Sequence, residues 1–134
     1  MEYHHVGIVV KDISIASKNI RKDFKIKNQS KIYIDKKIGV KVQFLKVSKD
    51  NNLELIQPLN NKSPINNFLK NKNTLNIHHL AYKCKNIEIE VTKLKKKGYG
   101  NLTKYFNAVA FNKSRVIFLL SPLNYIVELI EKDK

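Results

Sequence analysis

The stretch "YHHVGIVVKDI" at residues 3–13 returns, with changes, as "IHHLAYKCKNI" at residues 77–87. Each copy opens with two adjacent histidines and continues as an apolar run that ends in Lys-Asp-Ile or Lys-Asn-Ile. Superposing the two copies places His5 on His79, an offset of 74 residues. A repeat with this offset indicates a duplicated structural module, and the module therefore decides the fold.

A second match has the same offset. The segment "KVQFLKVSKDNNLELIQ" at residues 41–57 aligns without a gap with "RVIFLLSPLNYIVELIE" at residues 115–131, and the shared "ELI" places Glu54 on Glu128. Two matches at one offset predict two copies of a module of about 60 residues. We predict one domain over residues 1–134, with module one at about 1–59, a linking helix at about 62–72 and module two at about 75–134.

Each module is predicted to fold in the order strand, helix and three further strands. The strands are predicted near 3–10, 31–35, 40–47 and 52–57, and near 77–84, 102–105, 114–120 and 125–131. The segment "SKDNN" is predicted as the turn of the last hairpin of module one. This order, βαβββ twice, predicts an α+β fold.

The ends of the helices are marked by residues with known capping preferences. Asp12 and Asn86 stand where an N-cap side chain is expected. Gly98 is predicted to close the second helix, and Ser63-Pro64 to start the linking helix with proline at its first position. The helical spacing in module one predicts a buried face made of Ile13, Ala16, Ile20 and Phe24.

The adjacent histidines cannot serve one site together, because neighbouring side chains in a strand face opposite sides. His5 shares its face with Gly7, which leaves space, whereas His4 shares its face with an apolar stripe. The second copy repeats the pattern, with an alanine in place of the glycine. We predict that His5 and His79 face a cup, and that His4 and His78 face the core beneath the helices.

Glu54 and Glu128 lie between apolar neighbours in their strands, where a carboxylate is costly to bury unless it is paired or bound to a cation. With His5 and His79 they provide two imidazoles and two carboxylates. This set suits octahedral Co²⁺, Ni²⁺ or Mn²⁺ and accepts Zn²⁺. The sequence therefore predicts one divalent metal ion, although structural histidines and glutamates paired with lysines remain the alternative.

Together these features resemble the vicinal oxygen chelate superfamily, which includes glyoxalase I, methylmalonyl-CoA epimerases, extradiol dioxygenases and bleomycin-resistance proteins. The resemblance covers essentially the whole chain. The segments "HHVGIVVKDI", "LELIQPLNNKSPINNFL" and "IHHLAYKCKNI" are similar in order and spacing to methylmalonyl-CoA epimerases. The resemblance implies that the two modules form a cupped, partly closed mixed β-sheet around the metal ion, with the helices outside.

The resemblance also implies a reaction. In this reading the metal ion stabilises the enolate of an acyl-CoA such as methylmalonyl-CoA, and Glu128, a ligand that can loosen from the metal, serves as the base. The position expected to hold a second base falls near Val42 or Gln43, neither of which is a base. Two alternatives stay open: a lactoylglutathione lyase of the glyoxalase I type, which acts on a glutathione or thiol adduct, and a non-catalytic small-molecule binding protein. A homodimer is also left open.

The composition excludes several other classes. The net charge of +15 comes from 24 lysines with only Arg21 and Arg115, and no DNA-binding or RNA-binding motif accompanies it, which disfavours nucleic acid. No apolar run approaches the roughly 18 residues of a membrane span, and the start of the chain does not resemble a signal peptide. Cys84 is the single cysteine and cannot form an internal disulfide. We expect a cytoplasmic protein.

Overall fold

One order of elements occurs twice in the computed structural model, which describes residues 1–70 and 76–133. The first copy contains β1 (Glu2–Val9), α1 (Ile13–Asp23), β2 (Asn28–Gln29), β3 (Tyr33–Asp35), β4 (Val40–Lys46) and β5 (Asn52–Pro58). The second copy contains β6 (Ile77–Cys84), α3 (Ile87–Lys95), β7 (Gly100–Asn101), β8 (Phe106–Asn107), a 3₁₀ turn (Val109–Phe111), β9 (Arg115–Leu120) and β10 (Ile126–Glu131). Between the copies lies α2 (Asn66–Lys70). The predicted βαβββ order is confirmed, with the second strand of each module divided into two short ones.

The described chain falls into two compact units. The first unit is His5–His78, and the second is Met1–His4 together with the chain from His79 onward. In the first unit the strands follow the order β2-β4-β5-β1, and β3 also pairs with β4. In the second they follow the order β6-β10-β9-β7, and β8 also pairs with β9. The strand pairing in each unit is mixed, because β1 runs parallel to β5 and β6 runs parallel to β10, while the other pairs within the units are antiparallel.

Both long helices begin at the predicted caps. The Asp12 side chain accepts a hydrogen bond from the Ile15 amide at 2.9 Å, and the Asn86 side chain accepts one from the Ile89 amide at 3.0 Å. Each bond satisfies an amide that the first turn of a helix leaves without a backbone partner. Gly98 follows α3 with a φ of +92°, a conformation that glycine adopts without steric cost, so it closes the helix as predicted.

In the first unit α1 covers one face of the sheet. Ile13 is buried against Leu45 and Leu55, and Ala16 and Ile20 pack at the edge of this cluster. Burying side chains of this size contributes about 1.5–3 kcal/mol each. The prediction that Phe24 belongs to the same face is wrong. This residue is 65% exposed, because the backbone leaves the helix at this point for an extended conformation and the helical spacing no longer applies.

In the second unit α3 covers the corresponding face of its sheet. Its buried residues Ile87, Val91 and Leu94 recur at helical spacing and pack against a group of strand residues, which contains Ile117, Leu119, Val127 and Leu129. Because side chains alternate along a strand, the residues between these strand positions point to the other face. In both units the helix thus covers one face and leaves the opposite face for a site.

Two predicted elements differ from the structure. The linking helix begins at Asn66 rather than at Ser63-Pro64, because Ser63 and Pro64 form a turn in which the Ser63 carbonyl accepts a bond from the Asn66 amide. The predicted end of this helix, at 71–72, lies outside the described residues. The strand predicted near 102–105 is wrong, since β7 and β8 lie on either side of it. Within the described ranges no helix is both long and apolar enough to cross a membrane.

Candidate metal centre

The first unit places His5 beside Glu54. In the parallel pair of β1 and β5, Glu54 lies opposite Gly7, two residues along the strand from His5. Both side chains therefore point away from the face that carries Leu55 and α1. The His5 Nε2 atom lies 3.3 Å from Glu54 Oε2, and the two side chains are only 0% and 6% exposed. Gly7, the residue opposite Glu54, has no side chain on this face.

The second unit repeats this arrangement with His79 and Glu128. Glu128 lies opposite Ala81 in the parallel pair of β6 and β10. The His79 Nε2 atom lies 3.3 Å from Glu128 Oε2, and these side chains are 1% and 5% exposed. The structure thus places the four predicted residues in two equivalent imidazole–carboxylate pairs, one in each unit.

Each pair combines an imidazole nitrogen and a carboxylate oxygen, two ligand types that commonly bind divalent transition metals in proteins. A buried carboxylate lowers its free energy by pairing with a positive charge, a hydrogen-bond donor or a cation. Here the neighbour is an imidazole at both sites. One pair alone supplies two of the four predicted ligands.

The other two histidines are less buried than predicted. His4 and His78 are partly exposed, whereas the prediction placed both in the core. The His4 ring contacts the ring of Phe111 edge-on, with 5.7 Å between centroids, and the His78 ring contacts Phe68 at 4.8 Å. Both contacts are made with short helical segments, which cover only part of each imidazole.

Two functional candidates were missed at the level of sequence. The Phe44 ring lies edge-on to His5, with centroids 5.3 Å apart, and the Phe118 ring lies edge-on to His79 at 5.2 Å. Phe44 also lies opposite Glu54 in the β4–β5 pair, and Phe118 lies opposite Glu128 in the β9–β10 pair. The sequence repeat superposes these two phenylalanines at the same offset of 74. This match could have marked them as part of the repeated site.

Other glutamates of the second unit are neutralised by cations instead. Arg115 donates two hydrogen bonds to Glu131, at 2.8 and 3.0 Å, and one to Glu88 at 2.6 Å. These bonds raise the pKa of Arg115 and lower the pKa of Glu88. Glu90 pairs with Lys93 at 2.9 Å. Basic side chains therefore neutralise these three carboxylates, whereas Glu54 and Glu128 lie beside imidazoles.

Residues 4–118 match the family model described as the Glyoxalase/Bleomycin resistance protein/Dioxygenase superfamily. The chain belongs to this superfamily. Among the curated relatives, the mitochondrial methylmalonyl-CoA epimerase of Mus musculus is 33% identical over 116 residues, which cover 87% of this chain and 64% of that protein. The epimerase of Homo sapiens is 36% identical over 81 residues, covering 60% and 45%. The chain thus spans less than two thirds of the length of these superfamily members.

Several solved structures share the fold. A hypothetical protein from Bacillus halodurans superposes with a TM-score of 0.86 at 26% identity, covering 99% of this chain and 95% of that chain. The methylmalonyl-CoA epimerase of Mycobacterium tuberculosis superposes with a TM-score of 0.83 at 23% identity, covering 99% and 89%. An epimerase variant from Streptomyces coelicolor, solved with 2-nitronate-propionyl-CoA, gives 0.79 at 22%, covering 100% and 99%. The predicted fold class and the predicted family are confirmed.

Proposed function

We propose that this chain is a divalent-metal-dependent epimerase that acts on an acyl-CoA such as methylmalonyl-CoA, and that His5, Glu54, His79 and Glu128 together hold one metal ion. The observation that carries the proposal is the repeated buried pair, His5–Glu54 and His79–Glu128, with 3.3 Å between the nearest atoms in both cases. The two pairs share their strands, their register and a small neighbouring residue, so the repeat supplies the same two ligand types twice.

The donor set fits a divalent transition metal. Two imidazole nitrogens and two carboxylate oxygens suit Co²⁺, Ni²⁺, Mn²⁺ or Zn²⁺, and they leave positions for substrate oxygens when the ion is six-coordinate. The two carboxylates would also balance the charge of such an ion. Their burial supports the same reading, because a buried carboxylate gains most from a neighbouring cation.

In this proposal the protein must remove and return the proton beside a thioester carbonyl. A bound divalent ion would supply a Lewis acid that stabilises negative charge on the carbonyl oxygen. The buried Glu128 carboxylate takes the proton as general base and becomes a carboxylic acid. Inversion then requires that the enolate take up a proton on its opposite face, which exchange in D₂O would register as uptake of deuterium from the solvent. Val42 and Gln43 do not supply a second base, because neither an aliphatic nor an amide side chain takes up a proton near neutral pH. The Gln43 amide donates to the Ser30 carbonyl instead.

The substrate class is supported by the relatives. The curated relatives named above are methylmalonyl-CoA epimerases, and the structural neighbours include a methylmalonyl-CoA epimerase in complex with methylmalonyl-CoA. These names favour a CoA thioester over a glutathione adduct. The two substrates require the same proton transfer, so only a direct comparison separates them.

The test measures metal content and proton exchange in the same samples. We expect one divalent ion per chain by elemental analysis, and exchange of the α-proton of methylmalonyl-CoA in D₂O that depends on this ion. The double variant His5→Ala/His79→Ala should lose both. His4→Ala/His78→Ala is the matched control, because it removes the adjacent histidine of each pair, and it should keep the metal while losing some stability.

Two results would contradict the proposal. Full metal content in His5→Ala/His79→Ala would exclude the site. A metal-loaded wild-type protein that exchanges no proton on a CoA thioester would exclude the epimerase. Exchange on a glutathione hemithioacetal alone would then support the lyase, and exchange on neither would support a binding protein.

A further inference from the structure

The phenylalanine rings beside the paired histidines form a second repeated feature. The Phe44 and His5 rings meet at 73°, and the Phe118 and His79 rings meet at 75°. Edge-on contacts at such centroid distances are the favoured arrangement of aromatic pairs. Each phenylalanine also lies directly opposite the glutamate of its pair. One aromatic ring therefore borders both members of each imidazole–carboxylate pair.

In the first unit the backbone of Phe44 is held by a serine hydroxyl. Phe44 lies on β4, which pairs first with β2 and then with β3. The pairing is interrupted between them, because β2 ends at Gln29 and β3 begins at Tyr33. Ser30 lies in this gap, where its Oγ accepts a bond from the Phe44 amide at 3.0 Å and its amide donates to the Phe44 carbonyl at 2.9 Å. The Gln43 side chain donates to the Ser30 carbonyl at 2.9 Å and fixes the serine in turn.

The second unit reaches the same arrangement with a different residue. The edge strand is interrupted between β7 and β8, and Thr103 lies in the gap. Its Oγ1 accepts a bond from the Phe118 amide at 3.0 Å. Ser30 and Thr103 are 73 residues apart rather than 74, so the sequence repeat does not align them. The hydroxyl contact thus recurs where the sequence alignment does not require it.

We infer that Phe44 and Phe118 are positioning residues for the imidazoles of His5 and His79, and that Ser30 and Thr103 act through them. The inference rests on the proposed metal site. An aromatic edge against an imidazole limits rotation of that ring and keeps its Nε2 directed at the carboxylate. The same apolar ring excludes water from the pair, which strengthens the electrostatic interactions within it. The hydroxyls hold the backbone from which each ring projects.

The first test uses Co²⁺ as the probe, by titration and by its visible absorption spectrum. Phe44→Leu and Phe118→Leu keep an apolar side chain but remove the aromatic edge. We expect each to raise the Kd for Co²⁺ about tenfold, the lower end of the loss seen when groups that orient metal ligands are removed, and to change the absorption bands. Phe68→Leu is the matched control, because it removes the same contact from His78, and it should change neither.

The second test asks whether the hydroxyls act through the rings. Ser30→Ala and Thr103→Val should raise the Kd for Co²⁺ severalfold in the wild-type background. Ser30→Ala should add nothing to Phe44→Leu, since residues that act in series are not additive. Should a leucine variant fail to fold, as judged by circular dichroism, Ser30→Ala and Thr103→Val decide the question alone.

Three outcomes would overturn the inference. These are an unchanged Kd and spectrum in both leucine variants, an equal change in Phe68→Leu, and full additivity of Ser30→Ala with Phe44→Leu. Wild-type protein that binds no Co²⁺ would instead overturn the proposed metal site itself. The wild-type titration therefore distinguishes failure of the proposed function from failure of the positioning role.

Discussion

Glu54 and Glu128 occupy equivalent places, each opposite a small residue and 3.3 Å from an imidazole. Both carboxylates are therefore candidates to move the proton. The proposal assigns this role to Glu128, and the two residues can be compared because the same substitution is available at both. Changing glutamate to glutamine keeps an oxygen donor of nearly the same shape and removes the basic carboxylate.

Glu128→Gln should largely keep the metal ion and lose proton exchange. We expect the rate of α-proton exchange on methylmalonyl-CoA to fall by about 10²- to 10⁴-fold, the usual contribution of a positioned general base. Glu54→Gln is the internal control and should keep a good part of the exchange activity. Elemental analysis and exchange in D₂O measure both effects. Equal losses in the two variants, with the metal retained, would show that the carboxylates share the role.

The two long helices, α1 and α3, are each determined by a cap at the first turn and by one buried face. Each starts at a side chain that accepts a bond from the amide three residues ahead, and each buries one face against the leucines of its sheet. Because α1 and α3 cover the faces opposite the imidazole–carboxylate pairs, they support the site without contributing ligands. Their caps can therefore be removed without touching the proposed chemistry.

Asp12→Ala and Asn86→Ala should each lower the free energy of unfolding by about 1 kcal/mol, because an amide of the first turn loses its acceptor. Urea unfolding followed by circular dichroism measures the change. Asn19→Ala, at an exposed position inside α1, is the matched control and should be neutral or slightly stabilising, since alanine favours helices. No loss in either cap variant would show that water replaces these acceptors at no cost.

The caps and most of the strands were predictable because they depend on local sequence. Asp12, Asn86 and Gly98 act within one turn of the chain, and the repeat fixed the strand order. Phe24 was misplaced because helical spacing does not say where a helix ends. The strand near 102–105 was misplaced because a hydroxyl of Thr103 replaces a partner in the ladder, which no periodicity reveals.

The sequence predicted which residues belong to the site, but it did not predict which histidine lies beside which glutamate. Because side chains alternate along a strand, His5 could be assigned to the site and His4 to the opposite face. The offset of 74 residues identified Glu128 as the equivalent of Glu54. The register that brings His5 beside Glu54 depends on a parallel pairing of the first and last strands of the unit, and local sequence does not encode it. Phe44 recurs as Phe118 at the offset of 74, but its ring contact with His5 also depends on this pairing and was therefore overlooked.

At the scale of the whole molecule the dominant property is charge. The chain carries 26 lysines and arginines against 11 acidic residues, a net charge of +15. Several acidic residues are engaged within the protein, as in the contacts of Glu2 with Lys132 and of Glu88 and Glu131 with Arg115. In the part of the chain that the structure describes, every lysine is at least partly exposed. The surface therefore presents a positive field to an approaching ligand.

A CoA thioester is a polyanion, so its association should be accelerated by this field and weakened by salt. We expect kcat/KM for methylmalonyl-CoA to fall severalfold when the ionic strength rises from about 0.01 to 0.15 M, which shortens the Debye length from ~30 to ~8 Å. The corresponding N-acetylcysteamine thioester lacks the phosphates and should show little dependence. Equal salt dependence for both substrates would exclude electrostatic steering by the phosphates.

The parallel pairing of first and last strands has a kinetic consequence. In each unit the glutamate follows its histidine by 49 positions in the sequence, and only the β1–β5 or β6–β10 pairing brings them together. Hairpins such as β4–β5 close short loops and form early, whereas such non-local pairings form late because the entropy of closing the intervening chain opposes them. During refolding, helices and hairpins should thus precede the ligand pairs, and the ability to capture a cation should mark the last step of folding.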